Sequence, residues 1–409
     1  MTTEQVKPEQ VVDWTSDYDI FDPEYVKDPF PVWDELREKC PVAHSERWGG
    51  SWMPTRYADL FAIAQDVGHF SSQEVLVVPI GPPEGEEGEP DPFAGVAAPP
   101  ITSDPPEHTW SRRLILPPFS IKSVAPYEDE TRELCRSLID GFIDKGEADA
   151  AVDYAQQIPP RIIASMLGIP KEMSSTFTQW TRDMLEFGLT NPELGIPSRQ
   201  GLLTLLFQTL SERRQQPRDD LMSYLAQAQV DGDPVPDPHI LGTAFLLVLA
   251  GIDTTWSSIG SALWHLAQHP EDRARLVAEP ELMPTAVEEL LRAYSPVTMA
   301  RLVPEDVEYS GCPMSAGDRV IMNFPAANRD PEKFAEPDKV IIDRANNPHI
   351  AFGVGIHRCA GSNLARMEMR TAIQEWLARI PEFRLKDPSA VTWAGGQVRG
   401  PRSMPVVFP

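Results

Sequence analysis

The sequence predicts a single large domain, mostly α-helical with a minor β component. Three observations carry that expectation. The chain has 409 residues, 42% hydrophobic and 24% charged, a balance typical of globular proteins and sufficient to bury a sizeable core. No Gly/Ser-rich linker or long charge run divides it, so a length that exceeds a typical domain of about 150 residues is read as one unit. Apolar residues recur at helical spacing through most of the chain, and only short stretches have the composition of strands.

Residues 1–20 read as a polar N-terminal arm and 21–409 as the domain. In DPFPVWDELREKCPVAHS, Pro31 near a helix start and an inward stripe of Val32 and Leu36 predict a helix leading into a turn. SWMPTRYADLFAIAQD reads as a strand followed by a helix. Residues 74–103 carry too much Pro, Gly and Glu for a regular element and are expected to form a long loop, either a lid over a site or a solvated insertion. From Glu107 to about Phe245 the apolar spacing is mainly helical. A helix is expected from about Asp237 to His269, and its all-round apolar centre, LGTAFLLVLAGIDTT, predicts burial. Another covers Met283 to Tyr294 and ends ahead of Ser295-Pro296, where proline disfavours helix in the preceding residue. Strands are expected around VEYSG and DRVIMNF, with CPMSAGD as the hairpin turn between them. The last helix is expected to start near Cys359 and run to about Arg379. No internal repeat is present.

With 36 Lys and Arg against 61 Asp and Glu, the net charge is −25, which argues against nucleic acid as a partner because phosphate binding needs a basic surface. Cys40, Cys135, Cys312 and Cys359 are scattered without a CxxC pair, as in a reducing compartment. MTTEQVKPEQ has no apolar signal core, and the most apolar stretch, Leu241 to Ile252, is shorter than the roughly 20 residues a bilayer requires. A cytoplasmic protein without a membrane span is therefore expected.

Residues 352–361, FGVGIHRCAG, form an apolar, glycine-spaced loop that presents one cysteine where a helix begins. The helix dipole and free amides there favour thiolate over thiol. Gly353, Gly355 and Gly361 allow the backbone to pass close to a flat cofactor and supply positive φ where needed. In isolation a cysteine is more often a buried structural residue. A zinc site on His357 and Cys359 is a poor rival, since no second Cys/His cluster lies nearby in sequence.

The loop matches at every fixed position the heme-binding pattern F-G-x-G-x-H/R-x-C-x-G, with Phe352, Gly353, Gly355, His357, Cys359 and Gly361 in place. On it the chain resembles the cytochrome P450 family, and the resemblance extends from about DPFPVWDELR to VRGPRSMPV. It implies the family's fold, with heme b (iron protoporphyrin IX) buried between a long central helix and the cysteine loop, and with Cys359 as the iron ligand. A second match, AGIDTT at 250–255, implies that the helix opens at Ala250 and Gly251 to admit O2, with Asp253 and Thr254 as an acid-alcohol relay that delivers protons inside a pocket otherwise closed to water. Read alone, a Thr in an apolar helix bonds back to the preceding turn and a buried Asp is paired structurally. A third match, EELLR at 288–292, sets Glu289 and Arg292 three apart on one helix face; by resemblance this pair is buried, structural and not catalytic. Four residues are carried over as heme propionate partners: His108, Arg112, Arg301 and His357. Trp110, where many relatives have Arg, departs from the pattern and leaves the redox-partner surface open.

The implied reaction is monooxygenation: heme activates O2 with two electrons and two protons and inserts one oxygen atom into a C–H or C=C bond. Because the chain ends without a flavin or iron–sulfur segment, the electrons are expected to come from NAD(P)H through a separate ferredoxin and its reductase, docking near Arg112, Arg113, Arg358 and Arg366. A monomer is expected. By position, the pocket walls come from the 74–103 loop, Met184 to Leu206, and Leu246 to Ile252 with Leu247 among them, and from Val297, Thr298 and Met299 and from Gly396, Gln397 and Val398. Their apolar character points to a neutral terpenoid, lipid or aromatic substrate. Two alternatives are a heme-thiolate enzyme that uses peroxide or works without O2, and a non-catalytic heme carrier or sensor.

Overall fold

The computed structural model describes residues 10–78, 97–187 and 192–409. Most of the 74–103 loop, residues 79–96, lies outside them, as do residues 188–191 of the expected pocket wall. Its described ends contain no helix or strand, and both are tied down: the Ala300 amide donates to the Val75 carbonyl at 2.9 Å, and the Thr243 hydroxyl to the Pro99 carbonyl at 3.2 Å.

Helices dominate, as the apolar spacing predicts. The early helices α1 (Phe30–Lys39) and α2 (Tyr57–Gln65) bracket β1 (Val42–Ser45) and β2 (Ser51–Pro54). Next come α3 (Glu107–Ile115), α4 (Tyr127–Asp140), α5 (Ile158–Leu167) and α6 (Pro192–Gln215). At the centre runs α7 (Asp237–Gln268), followed by α8 (Pro270–Ala278), α9 (Met283–Ala293) and α10 (Ser362–Arg379). By length and composition α7 is apolar enough to cross a membrane, but two thirds of its most apolar stretch is buried inside the chain. That burial is the one the all-round apolar sequence predicts. Around α7 pack α5, α10 and the last strands, and Trp256, Ile259, Leu263 and Leu266 of α7 lie in the main core.

The minor β component is a sheet in the order β1-β2-β6-β3, with β3 Met299–Leu302 and β6 Arg319–Met322 antiparallel to each other and β2 parallel to β6. One expectation fails here. CPMSAGD is not the turn of a hairpin; its first three residues are themselves a strand, β5 (Cys312–Met314), paired with β4 (Val307–Tyr309). The turn is Ser310-Gly311, with φ of 52° and 79°, and two positive φ values match the twist of a two-residue hairpin. The strand in DRVIMNF joins the larger sheet instead.

The Glu289–Arg292 pair forms the tightest polar knot. Both side chains are fully buried, and the guanidinium donates through Nε and Nη2 to the two carboxylate oxygens, each at 2.9 Å. Its remaining hydrogens go to the carbonyls of Asn328, Pro337 and Lys339, while Glu289 accepts from the Ile341 amide, Arg344 and Asn347. Every lone pair and proton has a partner, the condition under which a buried ion pair is tolerated. The knot ties α9 to the segment 328–347 that leads to the cysteine loop.

Glu368 on α10 is the opposite case. It is fully buried and neither carboxylate oxygen has a hydrogen-bond partner among the described residues, so burial pushes its pKa well above the ordinary 4.5 and favours the protonated form. Below the unfolded-state value the group is neutral in both states. As pH rises past it, only the unfolded chain ionises, so folding stability falls by roughly 1.4 kcal/mol per pH unit until the folded group also ionises. Glu368→Gln is therefore expected to leave the thermal midpoint nearly unchanged at pH 4.5 and to raise it relative to the parent at pH 7 and 8. A difference that does not grow with pH would contradict this account.

Candidate active site

The cysteine loop is shaped by its glycines. Gly353 and Gly355 have φ of 67° and 76°, and a Cβ on Gly355 would stand 2.4 Å from the Ala64 carbonyl oxygen of α2, so glycine is required both for conformation and for that approach. Gly361 differs from the expectation: its φ is −79°, and its contribution is an amide hydrogen bond to the Cys359 sulfur. The last helix also begins later than expected, at Ser362 with Gly361 as its N-cap, because a turn at Gly355–His357 and an extended Arg358 keep the chain non-helical up to the cysteine. The Cys359 amide is held by the Phe352 carbonyl at 2.8 Å.

Cys359 is surrounded by protein, yet its surface is exposed. Both hold if it borders an interior space. Burial raises its thiol pKa, and the Gly361 amide with Arg112, Arg358 and Arg366 opposes that rise. Within the protein alone burial wins, so the helix end does not make the thiolate unaided.

On α7 the exposure pattern points to the same kind of space. Val248, Ile252, Asp253 and Thr255 are buried, whereas Leu249, Ala250, Gly251 and Thr254 regain exposure in the middle of the core helix. The helix does not open at Ala250-Gly251; α7 is continuous through both. The Thr254 hydroxyl donates to the Ala250 carbonyl at 2.7 Å, the back-bonding habitual for Thr in helices. Gly251 serves packing, since a Cβ there would stand 2.9 Å from Cδ1 of Ile163 on α5. Asp253 points elsewhere: its carboxylate pairs with Arg402 at 2.8 Å and accepts from Ser257 at 3.1 Å. Burial raises its pKa and Arg402 opposes the rise. Asp253 and Thr254 share no hydrogen bond among the described residues. Arg402, on β8 (Gly400–Ser403), which pairs with β7 (Thr392–Ala394), was not singled out from the sequence, where nothing local links it to Asp253.

His108 and Arg112 of α3, Arg301 of β3 and His357 come together as expected. The rings of His108 and His357 lie 4.3 Å apart, and Nε2 of each is buried without a partner. Burial, then the charges of Arg301, His108 and Arg112, press His357 down to about 3; burial presses Arg301 to about 10 with only Asp104 opposing. Arg112 donates to the Arg358 carbonyl. A cluster of two guanidinium groups and two imidazoles with orphaned donors fits an anion with several acceptor oxygens, and the carboxylates of a propionate-bearing macrocycle match it. The donor set therefore fits heme.

The expected substrate walls are partly assembled. Val297 bridges Val398, and the Thr298 amide donates to the Gln397 carbonyl at 2.9 Å, so these two segments form one surface with Met299 beside it. Val297, Met299, Gln397 and Val398 are half-buried, while Thr298 and Leu247 are buried, Leu247 among the core residues. On the basic face one expectation is corrected: Arg366 is not free for a carrier protein. It pairs with Glu288 at 2.5 and 2.7 Å and stacks over Phe352, and although burial pushes Glu288 up, Arg366 and His349 hold it down at about 2. Arg113 and Arg358 are exposed. Trp110 packs on His239 of α7, with ring centroids 4.2 Å apart.

Residues 203–391 match the family model described as Cytochrome P450. The chain is 33% identical to the polyketide biosynthesis cytochrome P450 PksS of Bacillus subtilis, over 94% of this chain and 96% of the relative; the solved structure of PksS superposes with a TM-score of 0.86 over 96% of this chain and 99% of that one, at 31% identity. It is also 33% identical to the mycinamicin IV hydroxylase/epoxidase of Micromonospora griseorubida, covering 91% of this chain and 94% of the relative. A vitamin D(3) 25-hydroxylase of Pseudonocardia autotrophica is 34% identical, with 91% of each covered.

Proposed function

The chain belongs to the cytochrome P450 family and is a P450 monooxygenase, and on that premise we propose that it hydroxylates or epoxidises a neutral, largely apolar organic molecule, with Cys359 as the thiolate ligand of heme b. The observation that carries this reading is an exposed Cys359 in the glycine loop beside a basic cluster whose His108 and His357 Nε2 atoms are buried without a hydrogen-bond partner among the described residues. When bound, the heme supplies O2 activation.

The remaining steps belong to the chain. Arg112, Arg301, His108 and His357 would hold the propionates of a bound heme, and the Gly361 amide would tune the sulfur. Thr254 releases the Ala250 carbonyl and turns its hydroxyl toward the interior space, where it positions a proton donor. Asp253 takes protons from solvent as Arg402 swings away, its burial favouring the protonated form that can then deliver them. The wall of Val297, Thr298, Met299, Gln397 and Val398, with Leu247, contacts substrate and lacks a cation to anchor a carboxylate. Relatives named for a polyketide, mycinamicin IV and vitamin D(3) favour a terpenoid, polyketide or lipid of medium size over a small aromatic compound. NAD(P)H acts through a ferredoxin and its reductase, and exposed Arg113 and Arg358 meet the acidic carrier.

The test is the absorption spectrum of the reduced, CO-bound protein. A strongly red-shifted Soret band is expected, and a histidine-like spectrum overturns the reading. Thr254→Ala is expected to keep the heme while electron use shifts from product to hydrogen peroxide, a loss of coupling of roughly tenfold or more for a lost proton-transfer group. Unchanged coupling removes Thr254 from the relay.

A further inference from the structure

We propose that the junction of α7 and α8 is a binding site for a divalent first-row transition metal such as Zn2+, ligated by His265, His269 and Asp272. His265 lies in the last turn of α7 and His269 caps that helix's C-terminus, their rings stacked with centroids 4.1 Å apart at 19°. Pro270 starts α8 immediately afterwards, which folds Asp272 back onto the histidines: its Oδ2 lies 2.8 Å from His265 Nε2. One ligand atom from each of the three lies within 4.8 Å of the others. A tetrahedral ion with bonds of about 2.0–2.2 Å requires ligand atoms roughly 3.3 Å apart, so side-chain rotations alone close the site.

His265 is buried, and its other nitrogen, Nδ1, meets the Tyr294 hydroxyl at 2.9 Å. With Nδ1–H donating to Tyr294, the ring presents the Nε2 lone pair to an ion, the support that metal-bound imidazoles usually have. His269 and Asp272 are half-exposed, which leaves an entry path and room for water as fourth ligand. Glu271, 3.3 Å from His269 Nδ1, adds negative charge at the mouth. Two imidazoles and one carboxylate select Zn2+, Co2+ or Ni2+ over Mg2+ and Ca2+, which prefer oxygen. The cluster lies about 16 Å along α7 from Thr254 at 1.5 Å per residue, outside the residues of the monooxygenase site. The bound ion displaces the proton that His265 and Asp272 share and clamps α7 to α8.

Heme-loaded protein stripped with a chelator and dialysed against micromolar Zn2+ tests the site, with zinc counted by mass spectrometry against heme iron. One zinc more than in His269→Ala and in Asp272→Asn is expected, each variant binding at least about tenfold more weakly, together with a zinc-dependent rise in thermal midpoint that both variants lack. Heme spectra identical to the parent show the variants folded. Equal zinc content and affinity in parent and variants overturns the site, since any remaining zinc then sits elsewhere.

Discussion

Cys359→Ser is expected to abolish the red-shifted Soret band of the reduced CO complex and to lower turnover by more than about a hundredfold, beyond the loss typical when a residue that only hydrogen-bonds a metal ligand is changed. Serine is nearly isosteric and the Cys359 side chain is exposed, so little packing is lost. Its hydroxyl, unlike a thiol, does not ionise in this setting, where burial already raises the thiol pKa and only the Gly361 amide and neighbouring arginines oppose it. The basic cluster at His108, Arg112, Arg301 and His357 is untouched, so the variant is expected to retain heme while losing its thiolate character. Comparison of heme content with the spectrum separates the two. A Cys359→Ser protein with the parent spectrum would show that another residue ligates the iron.

Arg292→Ala is expected to cost about 3–5 kcal/mol, the range for removing one member of a buried ion pair. Against a typical total stability of about 5–15 kcal/mol, that is enough to prevent accumulation of heme-loaded protein. The cost is high because the loss takes both paired contacts from the fully buried Glu289 carboxylate, leaving it Arg344, the Ile341 amide and Asn347, and frees the carbonyls of Asn328, Pro337 and Lys339. Arg292→Lys is expected to fail as well, since an ammonium cannot reproduce the paired contacts. Denaturation midpoints and heme yield measure both; a variant within about 1 kcal/mol of the parent would show the knot to be dispensable.

What was legible in the residues is local. The long α7, the helix ending before Ser295-Pro296, the helix start near Pro31 and the cysteine loop all follow from periodicity, proline and glycine rules that act over a few residues, and the structure agrees to within a residue or two. The same rules misplaced the hairpin, because CPM can be strand or turn and the positive φ at Ser310 and Gly311 is what selects strand.

Long-range pairing was not legible. Arg402 reaches Asp253, Glu288 takes Arg366 from the docking face, and Ile163 fills the space beside Gly251. Each of these joins residues far apart in sequence whose side chains meet only when one element stacks on another, and no local spacing encodes that distance. The shape of the cysteine loop could be read from ten residues because the positive φ of Gly353 and Gly355 is a local backbone property. The partners that tune a buried charge are set by packing, since in a low-dielectric interior the nearest opposite charge dominates wherever it lies in the chain.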